Sequence, residues 1–407
     1  MAFRSFVQRT LRRGEVPSEP RGYREFVKNL KIRRAEVTVV DSFCGAGGAT
    51  LGAVWAGFNP VIAVDNDPYA TETFENHFSK KLKLKVKIVC EDARKFVKSV
   101  EVLSLYSNGD TFLLIGCPPC QGFSTSGKRK EKDRRNDLIY VYLKFVEQAK
   151  PTVIAFENVF GMRSFSKYSV GFVKELKRLG YKIVFGLDEK KTLEVIDLAY
   201  YGVPQHRRRV VVVATRSRRF AKTFEPPRPF RFPKSYLKEY GYDVEEYFFE
   251  TVKEWIGDLP PIASGEKHPT IPNHRAPNLA KLTLERIKAV PKDGGSLRDA
   301  PKELWIPCHV KRPNAYKDVL GRLKWDEPSV TIRASFARPT TGRYVHPEQD
   351  RSLSMREGAR LQTFPDDFVF PDAIRPTARL IGNALPPRFS YVLATAIRNA
   401  LEEADLA

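Results

Sequence analysis

The stretch Val37 to Gly48, VTVVDSFCGAGG, runs a short apolar strand straight into a glycine turn. β-Branched residues give way at Asp41, and glycines at 45, 47 and 48 then let the chain reverse tightly. ATLGAVWAGF (49–58) follows as a small-residue helix, NPVIAVDND (59–67) as a second strand ending in acids, and PYATETFENHF (68–78) as a second helix. The alternation continues through KVKIVCEDA (85–93), TFLLIGCPP (111–119), TVIAFENV (152–159) and RVVVVATR (209–216) as strands. Between them DLIYVYLKFVEQA (137–149) and SVGFVKELKRLG (169–180) read as helices. Strands covered on both faces are written as continuous Val, Ile and Leu runs. The expected fold is therefore α/β, a doubly wound, mostly parallel sheet.

The regularity breaks at SRRFAKTFEPPRPFRFPKS (217–235), a Pro- and Arg-rich stretch that leaves the sheet. From there to about residue 372 the segments are short, polar and turn-rich, with basic patches such as HVKRPNAYK (309–317). A helical period returns in ARLIGNALPPRFSYVLATAIRNALEEA (378–404). The expected organisation is a basic extension over 1–35, a large domain over 36–216 completed by 375–407, and a smaller domain over 217–374. GYREFVKNLKIRR (22–34) reads as an amphipathic helix that either touches a phosphate backbone or packs on the domain.

Composition narrows the class. With 407 residues, 42% hydrophobic and 29% charged, the chain can bury a substantial core. No apolar run approaches the ~20 residues of a bilayer span, and the arginine-rich start has no apolar signal core, so an intracellular protein is expected. Five cysteines argue against a disulfide framework. Lys plus Arg total 69 against 48 acids, a net +21, and such an excess implies a polyanionic partner, nucleic acid first. Lysine-rich thermophile surfaces are the alternative, but glutamate usually balances those.

DSFCGAGG (41–48) is not the G-x-G-x-x-G dinucleotide fingerprint. Its glycines can still bring the backbone close to a ligand. The next strand ends at Asp65, where a carboxylate can accept from ribose hydroxyls, and a third ends at Asp92, suited to an adenine amino group. Together they fit an adenosine cofactor lying across the strand ends. The plainer possibility is that the glycines only turn and the acids only cap helices.

Cys117 and Cys120 stand three apart in IGCPPCQGFS (115–124). Zinc needs about four ligands, and Cys44, Cys90 and Cys308 are scattered without a second pair, so no metal is expected. A redox pair normally opens a helix, whereas here a Gly-Phe-Ser-Thr-Ser-Gly loop follows. Buried structural cysteines would suit Cys117 better than Cys120. The other reading is one nucleophile: Pro118 and Pro119 stiffen the chain and aim Cys120. Glu157 and Asn158 after one strand, and Gln205, Arg207 and Arg209 before another, would bring an acid and arginines to the same sheet edge.

In this order the motifs resemble those of the DNA (cytosine-5)-methyltransferase family of bacterial and archaeal modification systems. DSFCGAGG matches F-x-G-x-G-G, PPCQGFS the nucleophile loop, ENV its counterpart, and QHRRR matches Q-x-R-x-R. SMREGARLQTFPDDF (354–368) matches R-E-x-A-R-L-Q-x-F-P, and GNALPP (382–387) matches G-N-A-V-P. The resemblance covers nearly everything from residue 37. Cys44 stands where alanine is common, and Asp65 where many members have glutamate.

The resemblance implies methyl transfer from S-adenosyl-L-methionine to carbon 5 of a flipped cytosine in a specific double-stranded DNA sequence. Cys120 would attack carbon 6, Glu157 would meet ring nitrogen 3, and Asn158 and Arg209 would hold that acid and the base oxygen, with Arg207 nearby. The donor would lie over Phe43, Gly45, Gly47 and Gly48, with Asp65 on ribose, Asp92 on adenine, Pro119 against the ring and Asn383 near the methionine end. Gln121, Ser124 and Ser126 would contact the DNA or the flipped nucleotide, and Arg312, Lys317 and Arg343 chiefly its phosphates. It further implies a monomer, a cytoplasmic and nucleoid-associated prokaryotic location, and a cognate restriction endonuclease acting separately. A tRNA cytosine-5 methyltransferase of the same fold would carry C-F-T, absent here, and a catalytically silent DNA-binding module would not need Cys120 and Glu157.

Overall fold

The structure is a computed structural model in which residues 3–30, 33, 37–99, 112–119, 134–311 and 317–407 are described. Cys120, Gln121, Ser124, Ser126 and Arg312 lie outside the described residues. Eight strands form one sheet: β1 (Val37–Asp41), β2 (Phe58–Asp65), β3 (Lys87–Cys90), β4 (Phe112–Gly116), β5 (Val153–Val159), β6 (Lys182–Phe185), β7 (Val195–Asp197) and β8 (Arg208–Thr215). Their order is β3-β2-β1-β4-β5-β8-β6, with β7 also paired to β8. The first five are parallel, and β8 runs antiparallel to its neighbours β5 and β6.

Residue alternation divides the sheet into two faces. Val40, Leu114, Ile154, Phe156, Val210 and Val212 face the helices Leu138–Ala149 and Ser166–Arg178. Val39, Leu113, Val153, Val211 and Val213 face the helices Gly48–Trp55 and Pro387–Glu403. Both faces are covered, which is why the strands read as unbroken apolar runs. The single helical period expected at 378–404 is two helices, Ile374–Asn383 and Pro387–Glu403. Pro386 and Pro387 forbid a continuous ladder, and the break carries Asn383 to the sheet's edge.

A third cluster joins Trp55, Phe74 and Phe78 to Trp255, Phe336 and Phe364, so residues from the expected large and small domains share one core. Every residue of the helix Met355–Leu361 is buried. The N-terminal extension packs inward as well. Its helix Phe3–Arg12 buries Val7 and Leu11 beside Phe232, Leu237 and Phe248, and its helix Gly22–Lys28 buries Tyr23 and Phe26 against Trp255. Glu250, fully buried, accepts from the Gly22 amide at 2.7 Å, Arg231 Nε at 3.0 Å and Trp255 Nε1 at 3.0 Å, and pairs with Arg388 at 3.1 Å. One carboxylate thus fastens the extension to the rest. No helix among the described residues is long and apolar enough to cross a membrane.

Candidate active site

Parallel strands bring the C-terminal ends of β1, β2, β4 and β5 to one edge, and the reversed β8 delivers its starting residues there too. That edge opens on a cleft of about 1350 Å³. Phe43, Gly45, Gly48, Asp65, Asp92, Pro119 and Asn383 line it, as do Glu157, Asn158, Arg207 and Arg209. Residues drawn from five of the six motifs, with the two strand-end acids, therefore meet in one place.

On the cofactor side the glycines divide their work. Gly47 adopts φ +95°, and a Cβ there would lie 2.4 Å from the Phe78 ring; one on Gly48 would lie 2.4 Å from the Leu385 carbonyl. Both positions are held to glycine by close packing; Gly48 also lines the cleft, whereas Gly47 is not in its lining. Gly45, at φ +52°, has open space where its side chain would be. Asp65 accepts from the Gly45 amide at 2.9 Å and the Asp67 amide at 3.0 Å, and burial raises its pKa against those donors. Asp92 caps the helix Ala93–Phe96 through the Arg94 amide at 2.8 Å and pairs with the Arg94 side chain. Both acids hold local structure while lining the cleft, so capping and ligand binding are not exclusive. An open glycine cradle, the half-buried Phe43 ring and two strand-end carboxylates fit an adenosine-type ligand.

Beneath this floor Asp41 is buried, accepting from Thr50 Oγ1 at 2.7 Å, and burial pushes its pKa up to about 7. The folded chain holds that proton more tightly than the unfolded chain, so the Asp41 contribution to stability falls as pH rises from about 4 to about 7. Asp41→Asn removes the titration. The variant's stability relative to the native chain is expected to improve across that window by up to about 4 kcal/mol. Denaturant unfolding at several pH values checks this; a constant difference would contradict it.

On the other side, Arg209 Nε meets Glu157 Oε1 at 2.7 Å, both side chains being about nine-tenths buried. Asn158, expected to hold this acid, donates to the Pro118 carbonyl at 3.3 Å and accepts from the Val159 amide, which ties it to the prolyl segment. Arg207, placed by the sequence among the reacting groups, donates to the carbonyls of Ile332 (3.0 Å), Gly382 (3.2 Å) and Ala384 (2.8 Å). Burial and the neighbouring Arg209 drive its pKa well down. Gln205 likewise binds Leu361, Gln362 and Ile332. In Q-x-R-x-R, then, the first two side chains clasp distant segments and only the third reaches the acid.

The opposite wall is basic, with Arg333, Arg338 and Arg375 at the cleft. Sequence reading passed over them. Their signal is present, since no acid falls between Glu327 and Glu348 while arginines recur at 333, 338 and 343. Arg343, expected at phosphates, is committed elsewhere: it donates to the Gly294, Gly295 and Arg322 carbonyls and pairs with Asp318. Lys317 is exposed and outside the lining. Arg379 bridges to Asp67 at 2.5 Å, a link across the cofactor side that the sequence did not reveal. Among the described residues no His, Cys, Asp and Glu cluster could hold a metal ion.

A family model described as C-5 cytosine-specific DNA methylase matches residues 37–399. The chain is 32% identical over 372 residues to the type II methylase M.HgiDII of Herpetosiphon aurantiacus, covering 89% of this chain and 96% of that one. It is 29% identical over 378 residues to the type II methyltransferase M1.HphI of Haemophilus parahaemolyticus, covering 91% and 89%. A solved prophage-encoded candidate DNA modification methyltransferase from E. coli superposes with a TM-score of 0.65 at 23% identity, covering 90% of this chain and all of that one.

Proposed function

The chain belongs to the C-5 cytosine-specific DNA methylase family, and from that premise we propose that it methylates a cytosine swung out of double-stranded DNA, through a covalent adduct with Cys120. The methyl donor of this family is S-adenosylmethionine, which supplies an electrophilic methyl group when bound. Phe43, Gly45, Asp65, Asp92 and Asn383 are the residues that would hold it.

Carbon 5 of cytosine is a poor nucleophile. A thiolate adding at carbon 6 turns the ring into an enamine whose carbon 5 can attack a methyl group. Glu157 donates its carboxyl proton to ring nitrogen 3, neutralising the electron pair this addition pushes there, and takes the proton back when the thiol leaves; Arg209 fixes the direction of the carboxyl group. Loss of the carbon 5 proton to water then lets the thiol leave. The target atom is shielded inside a stacked duplex, so the nucleotide must be extruded into the cleft. Arg207 and Gln205 act at one remove, holding the cleft's walls together.

The observation that carries this reading is that the Glu157–Arg209 pair, the glycine loop and Pro119, the residue before Cys120, line one cleft. The basic wall at Arg333, Arg338 and Arg375 supports a phosphate backbone alongside it. Relatives named as type II methylases support a DNA-modification role in a bacterial cytoplasm, with residues 217–374 reading the sequence and any cognate endonuclease acting separately. A duplex carrying 5-fluorocytosine at the target, incubated with S-adenosylmethionine, is expected to trap a protein–DNA adduct that survives denaturing gels. Fluorine cannot leave as the proton does, so the thiol stays attached. A substrate sequence that is methylated when unfluorinated yet traps nothing would refute the adduct.

A further inference from the structure

We infer that Cys117 is a positioning residue for Glu157, its thiol holding the carboxylate from the side opposite Arg209. The inference rests on the proposed role of Glu157 at the cytosine ring. It begins in strand register. β4 and β5 pair in parallel with Gly116 beside Phe156, so the next residue, Cys117, falls beside Glu157. Neighbours in register on parallel strands project to the same face. One residue further, the Pro118 carbonyl accepts from Asn158. Three successive residues of one segment are thus matched to three of the other. Gly116 permits the close fit, since a Cβ there would lie 2.1 Å from the Tyr142 ring.

Cys117 and Glu157 line the same cleft, and the strand register sets the thiol beside the carboxylate, where it can donate to it. Burial, followed by the Glu157 and Asp41 carboxylates, pushes the Cys117 pKa well above its ordinary value, with Arg209 opposing weakly. The sulfur therefore keeps its proton, which makes it a donor and a poor nucleophile. The two cysteines of CPPC divide the work: one steadies the acid and stays inert, leaving the attack to the other. Two donors from different strands restrict the rotation of the carboxyl group, so it meets ring nitrogen 3 already oriented. Packing alone is the competing account, because Cys117 also abuts the apolar cluster around Ile115 and Ala155.

Cys117→Ala and Cys117→Ser separate the two. Serine keeps a donor and alanine does not. Alanine is expected to lower kcat about five- to tenfold while leaving KM for DNA and for S-adenosylmethionine within about twofold. Serine is expected to restore kcat to within about twofold of the native chain. Melting temperature and S-adenosylmethionine binding report on folding; should the alanine chain melt early, Cys117→Val fills the volume without a donor and replaces it. Native kcat in the alanine or valine chain, or equal losses with and without a donor, overturns the inference. Glu157→Gln is measured in parallel. If it loses turnover while Cys117→Ala does not, only the role of Cys117 falls; if it keeps native turnover, the reading of Glu157 itself fails.

Discussion

Cys120→Ser is expected to lower methyl transfer by about 10⁴-fold or more while leaving the affinity for S-adenosylmethionine unchanged. A thiol reaches its reactive anion near neutral pH with help from neighbouring cations, whereas a serine hydroxyl without a general base does not. The neighbouring Cys117 does not replace that attack, because burial and two carboxylates hold it protonated. The cofactor side is built from the ends of other strands, at Phe43, Gly45 and Asp65, and is untouched by the exchange. Transfer of labelled methyl groups to DNA gives the first quantity and calorimetric titration the second. Native turnover in the serine chain would end the nucleophile assignment.

Glu250→Ala is expected to cost about 3–5 kcal/mol of stability, which in a chain of this size lowers the melting temperature by roughly 5 °C. The loss comes from what is left behind. Arg231 and Arg388 are fully buried, and both pair with this carboxylate, while the Gly22 amide and the Trp255 indole also donate to it. The two arginines lower its pKa in spite of burial, so it is an anion at neutral pH. Removing it strands two cations and two neutral donors away from water. Methyl-donor binding below the melting point should survive, since none of these residues lines the cleft. An unchanged melting temperature would show that the network contributes nothing.

Much of the sheet could be read from the chain because its central strands are covered on both faces and so lack polar interruptions. β6 and β7 escaped notice, being four and three residues long and partly exposed. The direction of β8 escaped as well, since an apolar run records burial and not orientation. At the site, Asp65, Asp92, Glu157 and Arg209 could be found because each sits at a strand terminus, where position follows from local pattern. The tasks of Arg207, Asn158 and Arg343 could not. Their partners lie on segments brought near only by folding, Arg207 reaching Ile332 and Gly382 from more than a hundred residues away. A motif marks that a side chain matters; the atom it touches is decided by the tertiary structure. Cys117 is the clearest instance, read from sequence as packing and set by strand register next to the acid at the cleft.

The contact of Gly48 with Leu385 joins the beginning of the fold to its end. On the ribosome, the loop that cradles the donor emerges first and waits for a wall made more than three hundred residues later. A nascent chain stopped short of Asn383 lacks that wall, so the cleft is completed only after that distant segment has been made.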